Sequence, residues 1–168
     1  YFFSPHKWLL APKGTGVLYL RRDVQDRIWT TLASYQWDNH EEGMYRLMQY
    51  GTHNLSLLRG LEAAVAFMSR VGPDRVEARI RHLSRYLRDG LIETPGVVLE
   101  TPTHPELSAG MTRYRVEGLE GTALQDELWR RRRIRVRGAP AVRQCTHIYN
   151  DFGQLDETLA VVRDLARG

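Results

Sequence analysis

Two long amphipathic segments meet at Gly72-Pro73, and they constrain the fold more than any other feature of the sequence. Each repeats apolar residues every three or four positions, which predicts a helix with one buried face. Proline is tolerated at the first helical position, so Gly72-Pro73 ends one helix and starts the next. Asn54 is the expected N-cap of the first helix. The predicted inward positions are Leu57, Leu58, Leu61, Ala64, Val65, Met68 and Val71, then Val76, Ile80, Leu83, Leu87 and Leu91, with the arginines of the second helix largely outward.

Shorter patterns flank this helical pair. The apolar run at 16–20 suits a buried strand, Asp23 can cap a helix running to Leu32, and residues 34–53 are predicted to be a long loop. After Pro95 the sequence predicts strands at 97–101, 111–116, 134–137 and 142–149. It also predicts a helix behind the capping box Thr122-x-x-Gln125 and a last helix from Asp151. The order indicates an α/β segment joined near Pro95 to a small α+β domain.

Composition sets broad limits. The chain has 168 residues, of which 42% are hydrophobic and 26% charged, as is ordinary for a globular protein. No apolar run approaches the roughly 20 residues that span a bilayer, and no secretory pattern is present, so no membrane partner is predicted. The single cysteine, Cys145, suits a reducing cytoplasm. Because Tyr1 begins directly in a motif-like segment, we expect the chain to be the C-terminal portion of a longer protein.

Lysine is used at only two positions, Lys7 and Lys13, among 24 basic residues. An amine condenses with an aldehyde to form a Schiff base, which a guanidinium does not do under these conditions. A chain that otherwise uses arginine would therefore keep lysine where that chemistry is needed. Ser4 and His6 add a hydroxyl and an imidazole that could hold a phosphate nearby. The alternative is a surface lysine beside a structural histidine, and Lys13 is expected to be an exposed turn residue.

The stretch "SPHKWLLAPKGTGVLYL" resembles the lysine segment of the class V aminotransferases, which are fold type I enzymes that use pyridoxal 5'-phosphate (PLP). The resemblance implies that Lys7 forms the Schiff base with PLP and shuttles a proton, while Ser4 and His6 contact the cofactor phosphate. Downstream, "YGTHNLSLLRGLEAAVAF" is similar to the family segment whose threonine, here Thr52, reaches the phosphate of the partner subunit's cofactor. The matching positions of the lysine segment are Ser4, His6, Lys7, Pro12, Gly14, Gly16, Leu18 and Tyr19.

Near the C-terminus, "IRVRGAPAVRQCTHIYN" resembles the strand that carries the family's arginine for the substrate carboxylate. Arg137 occupies that position, and a guanidinium can grip a carboxylate through two hydrogen bonds. Arg143 falls on the following segment, either as a second substrate contact or as part of a structural ion pair. The desulfurases of the family place a persulfide cysteine just after the carboxylate arginine. This chain has Gly138-Ala139-Pro140 there, while Cys145 lies in a predicted strand as an expected buried residue.

The resemblance implies a fold type I enzyme, with residues 1–94 ending the large PLP-binding domain and linking helices, and residues 95–168 forming the small α+β domain. It implies chemistry at the α-carbon of an amino acid and a homodimer with its site at the interface, most similar to the isopenicillin N epimerase-like branch. Transamination and epimerisation are the leading reactions. A C–S lyase or desulfurase-like enzyme without a persulfide cysteine is the alternative, and no metal site is predicted.

A non-catalytic basic binding module is the second alternative, because arginines crowd residues 130–137. The first four lie at a helix end, where cations are favourable. Asp126 and Glu127 precede them and can balance part of their charge. A solvated face with one functional arginine is therefore favoured over a nucleic-acid patch, and no nucleic-acid partner is predicted.

Overall fold

The computed structural model describes residues 1–168, which divide into two compact units, Tyr1–Arg70 and Val71–Gly168. The second unit contains the whole of the long helix Pro73–Ile92 because that helix packs on the sheet that follows it. The domain division near Pro95 in the whole protein stays a prediction. No helix of the chain has the length and apolarity required to cross a membrane.

The first unit is built from short elements and one helix. Strands β1 (Phe2–Phe3) and β2 (Val17–Leu18) pair antiparallel, with Phe2 opposite Leu18. The expected helix from Asp23 to Leu32 is only a 3-10 segment, Arg22–Arg27. The Asp23 carboxylate accepts a hydrogen bond from Arg21 Nε at 2.6 Å, and no side chain caps the segment. The expected loop at 34–53 contains a second 3-10 segment, His40–Met48, kinked at Gly43.

Arg46 holds this region of the first unit together. Its guanidinium is buried and donates to three main-chain carbonyls, those of Gln25 at 2.9 Å, Ile28 at 2.7 Å and Trp37 at 3.4 Å. A buried main-chain acceptor needs a donor, and a segment with little regular structure has few of its own. One arginine therefore ties the two 3-10 segments together.

Helix α1 (Leu55–Val71) begins as predicted, since the Asn54 side chain accepts a hydrogen bond from the Leu57 amide at 3.2 Å. Its predicted buried face is wrong in large part. Only Ala64 and Met68 are buried, while Leu58 and Val65 remain 38% and 47% exposed. The helix periodicity is present, but few elements of the chain pack on that face.

The second unit is a three-stranded antiparallel sheet packed on helices. The strands are β3 (Val97–Leu99), β4 (Met111–Val116) and β5 (Val142–Cys145), in the order β3-β4-β5. Helices α2 (Pro73–Ile92), α3 (Gly121–Arg132) and α4 (Phe152–Leu165) complete it. The core is apolar, with each fully buried aliphatic side chain worth roughly 1.5–3 kcal/mol. Its fully buried members include Leu83, Leu87, Leu91, Leu124, Leu128, Val142 and Val162.

The strand predicted at 111–116 is confirmed as β4, in which Thr112, Tyr114 and Val116 are buried and the residues between them are exposed. Helix α4 starts after Asp151 as expected, with a capping box between Asp151 and Gln154. The box predicted at Thr122 is wrong: α3 starts at Gly121 without a side-chain cap. At this start Gly121 packs closely against Gly138, so that a β-carbon on Gly121 would lie 1.9 Å from the Gly138 carbonyl oxygen.

Two further expectations are corrected in this unit. Residues 134–137 form no strand, only a single antiparallel bridge between Arg137 and Arg143. Cys145 ends β5 as an exposed residue, because the strand alternates and its inward positions are Val142 and Gln144. Cys145 takes part in no disulfide.

Candidate functional site

The residues of the lysine segment lie together in the turn that follows β1. Pro5 is fully buried, and its carbonyl accepts a hydrogen bond from the Ala11 amide at 3.1 Å. The Lys7 carbonyl accepts a second from the Leu10 amide at 3.2 Å. These bonds close the turn over a buried proline and fix the backbone on both sides of His6, while the Lys7 side chain is exposed.

Three polar groups of this turn have no partner within the chain. The Nδ1 atom of His6 is buried and has no hydrogen-bond partner in the chain. Lys7 forms no ion pair, and the exposed Ser4 hydroxyl makes no hydrogen bond within the chain. A buried polar atom without a partner carries a desolvation cost, which a ligand with suitable groups would remove.

Thr52 is exposed and precedes α1, but the helix starts three residues later, at Leu55. Asn54 rather than Thr52 is therefore the residue that caps the helix. Gly51 supplies the positive φ of +121° that the backbone takes just before Thr52. The Thr52 hydroxyl makes no hydrogen bond within the chain, so it is available to a partner outside it.

A cavity of about 350 Å³ lies in the first unit, and sequence reasoning did not predict it. Its lining combines the end of the lysine segment, at Gly14 and Gly16, with Tyr50, His53 and the start of α1. The Tyr50 hydroxyl is 3.0 Å from His53 Nδ1. Such a cavity depends on how a loop folds against a helix, and periodicity carries no signal for that.

Arg137 and Arg143 are brought directly opposite each other. The Arg137 amide donates to the Arg143 carbonyl at 3.1 Å, and the Arg143 amide donates back to the Arg137 carbonyl at 2.7 Å. Residues paired in this way have side chains on the same face of the sheet. Both side chains are exposed and neither forms an ion pair within the chain. Two like charges in this position repel each other, so the pair favours an anion between or beside them.

The next strand offers a contrast. Arg113 of β4 lies opposite Arg143, and its Nε is 2.6 Å from a Glu100 carboxylate oxygen. The exposed face therefore has one neutralised arginine beside two that have no carboxylate. Arg143 forms no ion pair within the chain, although a structural ion pair was the alternative to its role as a second substrate contact.

The arginine run before Arg137 is largely engaged in intramolecular contacts. Arg130 and Arg131 each lie 2.7 Å from a Glu127 carboxylate oxygen, and Arg131 also pairs with Asp164. Arg133 and Arg135 lie over the Trp129 ring, at 5.4 and 5.2 Å from its centroid. A cavity of about 350 Å³ beside Trp129 is lined by Gln125, Asp126, Trp129, Ile134, Arg135, Val136 and Arg137.

Comparisons with known proteins find relatives and similar structures that match nearly the whole chain. It is 31% identical to the isopenicillin N epimerase of Streptomyces clavuligerus, over 93% of this chain and 44% of that protein. The apo cysteine desulfurase of Thermococcus onnurineus superposes with a TM-score of 0.84 at 26% identity, over 99% of this chain and 46% of that one. The cystine C-S lyase C-DES superposes with a TM-score of 0.81 at 24% identity, over 97% and 46%. The chain thus spans less than half the length of these relatives.

The described residues fit the cofactor of this group of enzymes. In one structure of C-DES, glycine is covalently linked to a PLP cofactor. The turn at residues 4–7 offers the donor set for that group: an unpaired amine for the aldehyde carbon, and a hydroxyl and a buried, unpartnered imidazole nitrogen near it for a phosphate.

The family model described as Aminotransferase class-V matches residues 1–163 of the 168. Together with the structural likeness, this confirms the expected fold type I architecture and PLP as the cofactor of the family. The chain belongs to the class V aminotransferase family.

Proposed function

We propose that the protein containing this chain is a PLP-dependent enzyme that acts at the α-carbon of an amino acid, by transamination or a related epimerisation. The observation that carries the proposal is the turn at residues 4–7, where an exposed, unpaired Lys7 amine follows an imidazole with a buried, unpartnered nitrogen. An epimerase is among the relatives at about 30% identity.

In this proposal Lys7 has two roles. PLP supplies an aldehyde that condenses with amines and a ring that accepts electron density from the α-carbon. Lys7 holds the cofactor through its amine and, once displaced by the substrate amine, removes the α-proton as a general base. His6 and Ser4 donate to the phosphate and hold it in place, and Thr52 donates to the phosphate in the partner subunit of a homodimer.

Arg137 holds the substrate carboxylate, with Arg143 as the second contact. Two guanidinium groups on one face can bind a carboxylate with good geometry and offset their mutual repulsion. Fixing the carboxylate limits rotation about the α-carbon, so the α-proton is presented to the base in one orientation. The atom that takes up the proton would then decide the reaction: return to the cofactor would give transamination, and return to the α-carbon from the opposite face would give epimerisation.

C–S lyase or desulfurase-like chemistry is the second candidate, because a cysteine desulfurase at 26% identity shares the fold over 99% of this chain. A persulfide acceptor in the loop after Arg137 is absent, since residues 138–141 are Gly, Ala, Pro and Ala. The one cysteine ends β5, so this candidate would have to release sulfur without a loop cysteine.

The test is the site of covalent PLP attachment. The full-length protein is incubated with PLP, reduced with borohydride, digested and analysed by mass spectrometry. We expect a pyridoxyl group on Lys7 and none on Lys13, the only other lysine of this chain. Lys7→Arg keeps the charge but cannot form the bond, so it should lose both the label and the amino acid reaction.

Lys13→Arg is the matched control, because it removes the other exposed lysine and should leave label and activity unchanged. Label that persists elsewhere in Lys7→Arg, together with full activity, would contradict the proposal. Products from amino acids in D₂O then separate the chemistries. A keto acid indicates transamination, deuterium in both configurations at the α-carbon indicates epimerisation, and sulfide or persulfide from cysteine or cystine indicates C–S cleavage.

A further inference from the structure

A second cavity, in the unit Val71–Gly168, is bordered by α2 and the segment that leads to β4. Its volume is about 170 Å³, many times the roughly 10–15 Å³ that one water needs. Three arginines of one helix face line it, Arg81, Arg85 and Arg88, together with Asp89 and Thr103. Their spacing of four and three residues places them in neighbouring turns of α2.

Arg88 is the unusual member of this cluster. The sequence pattern predicts an outward side chain, yet Arg88 is only 8% exposed. Its guanidinium donates to the Ser84 carbonyl at 3.1 Å, the Ser84 hydroxyl at 3.0 Å and the Ala109 carbonyl at 3.3 Å. No carboxylate pairs with it, and its Nη1 is buried without an acceptor. Burial lowers the pKa of Arg88, which reflects the cost of a charge held away from water.

The other two arginines differ in how they are held. Arg81 is fixed by the Glu77 carboxylate at 2.7 Å and by the carbonyls of Pro105 at 2.7 Å and Ser108 at 2.9 Å. Arg85 is exposed and makes no ion pair. The three arginines together with Glu77 and Asp89 have a net charge of one positive unit. The cluster has an exposed guanidinium and a buried one, neither with a carboxylate partner.

We propose that this pocket, formed by Arg81, Arg85, Arg88 and Thr103, binds a phosphate-type oxyanion. Guanidinium groups match the oxygens of such an anion, and Thr103, which lines the pocket from the segment that leads to β4, has a hydroxyl that can donate a further hydrogen bond. The donors of this pocket come from more than one side. A tetrahedral anion has oxygens that point in several directions, whereas a carboxylate presents two oxygens in one plane. None of the residues proposed to act in catalysis, which are those of the lysine segment, Thr52, Arg137 and Arg143, lines this pocket.

The test measures phosphate-dependent thermal stabilisation of the full-length protein, saturated with PLP so that its cofactor site is filled. Inorganic phosphate is titrated against chloride at equal ionic strength. We expect phosphate to raise the unfolding temperature of the wild-type protein. In Arg85→Gln the phosphate concentration for half of that rise should increase about tenfold, because a charge-assisted contact is lost. Arg75→Gln removes an exposed charge from the same helix outside the pocket and should respond like the wild type.

Phenylglyoxal labelling mapped by mass spectrometry gives a local readout. Phosphate should protect Arg85 and leave Arg75 reactive. An identical phosphate response in the wild type and Arg85→Gln, or equal weakening by Arg75→Gln, would overturn the proposal. An Arg85 that is unreactive before phosphate is added would also overturn it, since a carboxylate of the protein itself would then occupy the pocket.

Discussion

Glu127 pairs with two arginines of the run at the end of α3. It accepts hydrogen bonds from Arg130 at 2.7 and 2.9 Å and from Arg131 at 2.7 Å. These bonds lower the pKa of the Glu127 carboxyl from 4.5 to about 2. Without this carboxylate, adjacent arginines would repel one another at close range. The Glu127 carboxylate thus offsets the repulsion between Arg130 and Arg131, two of the four consecutive arginines at the end of α3.

The first prediction at this scale concerns Glu127→Gln. The folded pKa is depressed, so the stabilisation is fully present above about pH 4.5, where the unfolded carboxyl is ionised, and is lost as the pH falls to about 2. We expect the variant to unfold at lower urea than the wild type at pH 7. The gap between the two should narrow steadily between about pH 4.5 and 2.

Glu157→Gln is the matched control, because Glu157 is exposed on α4 and makes no ion pair or hydrogen bond. Its urea midpoint should follow that of the wild type at every pH. A gap for Glu127→Gln that stays constant down to pH 2 would show that the effect is not carried by ionisation of this carboxyl.

At the scale of elements, a buried chain of hydrogen bonds joins β4, β5 and α4. The Tyr114 hydroxyl donates to the Gln144 side-chain oxygen at 3.2 Å, and the Gln144 amide donates to the Thr158 hydroxyl at 3.1 Å. Thr158 donates in turn to the Gln154 carbonyl at 3.1 Å. Tyr114 is fully buried, and burial raises the pKa of its phenol. These hydrogen bonds hold α4 against the sheet that contains Arg143.

Tyr114→Phe should destabilise the protein by about 1–3 kcal/mol, because it leaves the buried Gln144 oxygen without its donor while removing little volume. The measurement is the free energy of unfolding in urea at neutral pH. Tyr149→Phe is the control: Tyr149 is 69% exposed and its hydroxyl makes no hydrogen bond, so the change should stay within about 0.5 kcal/mol. Equal effects for the two variants would show that the chain contributes nothing specific.

The same scale shows what the sequence predicts well and where it fails. The starts of α1 and α4 were predicted because Asn54 and Asp151 act on the backbone within three residues of themselves. The box predicted at Thr122 is wrong because Thr122 already lies inside α3, which begins at Gly121. The contact of Gly121 with Gly138, a residue distant in sequence, is long-range packing that a local capping signal does not include.

The candidate site divides in the same way. Lys7, His6 and Ser4 form one continuous motif, so sequence alone brought them together. Arg137 and Arg143 lie opposite each other in an isolated β-bridge, which the hydrophobic periodicity of the sequence does not predict. Arg88 is an exception to the expectation that the arginines of α2 lie largely outward, because helical spacing does not show which carbonyls a long side chain can reach.

For the whole molecule, the arrangement of subunits decides how the proposed site is assembled. The chain spans less than half the length of its curated relatives, and the homodimer is a proposal. If Thr52 serves the partner's cofactor, each site needs Lys7 from one subunit and Thr52 from the other. Thr52→Val keeps the shape of the side chain and removes the hydroxyl. It should weaken PLP binding about tenfold or more, through loss of a charge-assisted hydrogen bond to phosphate.

Mixed dimers distinguish the two subunit assignments. When a Lys7→Ala subunit is paired with a Thr52→Val subunit, one of the two sites combines the intact Lys7 with the intact Thr52 if the threonine acts across the interface. We therefore expect PLP affinity and amino acid turnover of the wild-type kind at half the sites. If Thr52 acts within its own subunit, the one intact Lys7 shares its site with the Thr52→Val substitution. Every site that can be labelled then binds PLP weakly. Purified mixed dimers with different tags are titrated with PLP and then labelled with borohydride, which counts the sites that bind PLP tightly. A protein that is monomeric at micromolar concentration would contradict the assignment of Thr52 to the partner subunit's site.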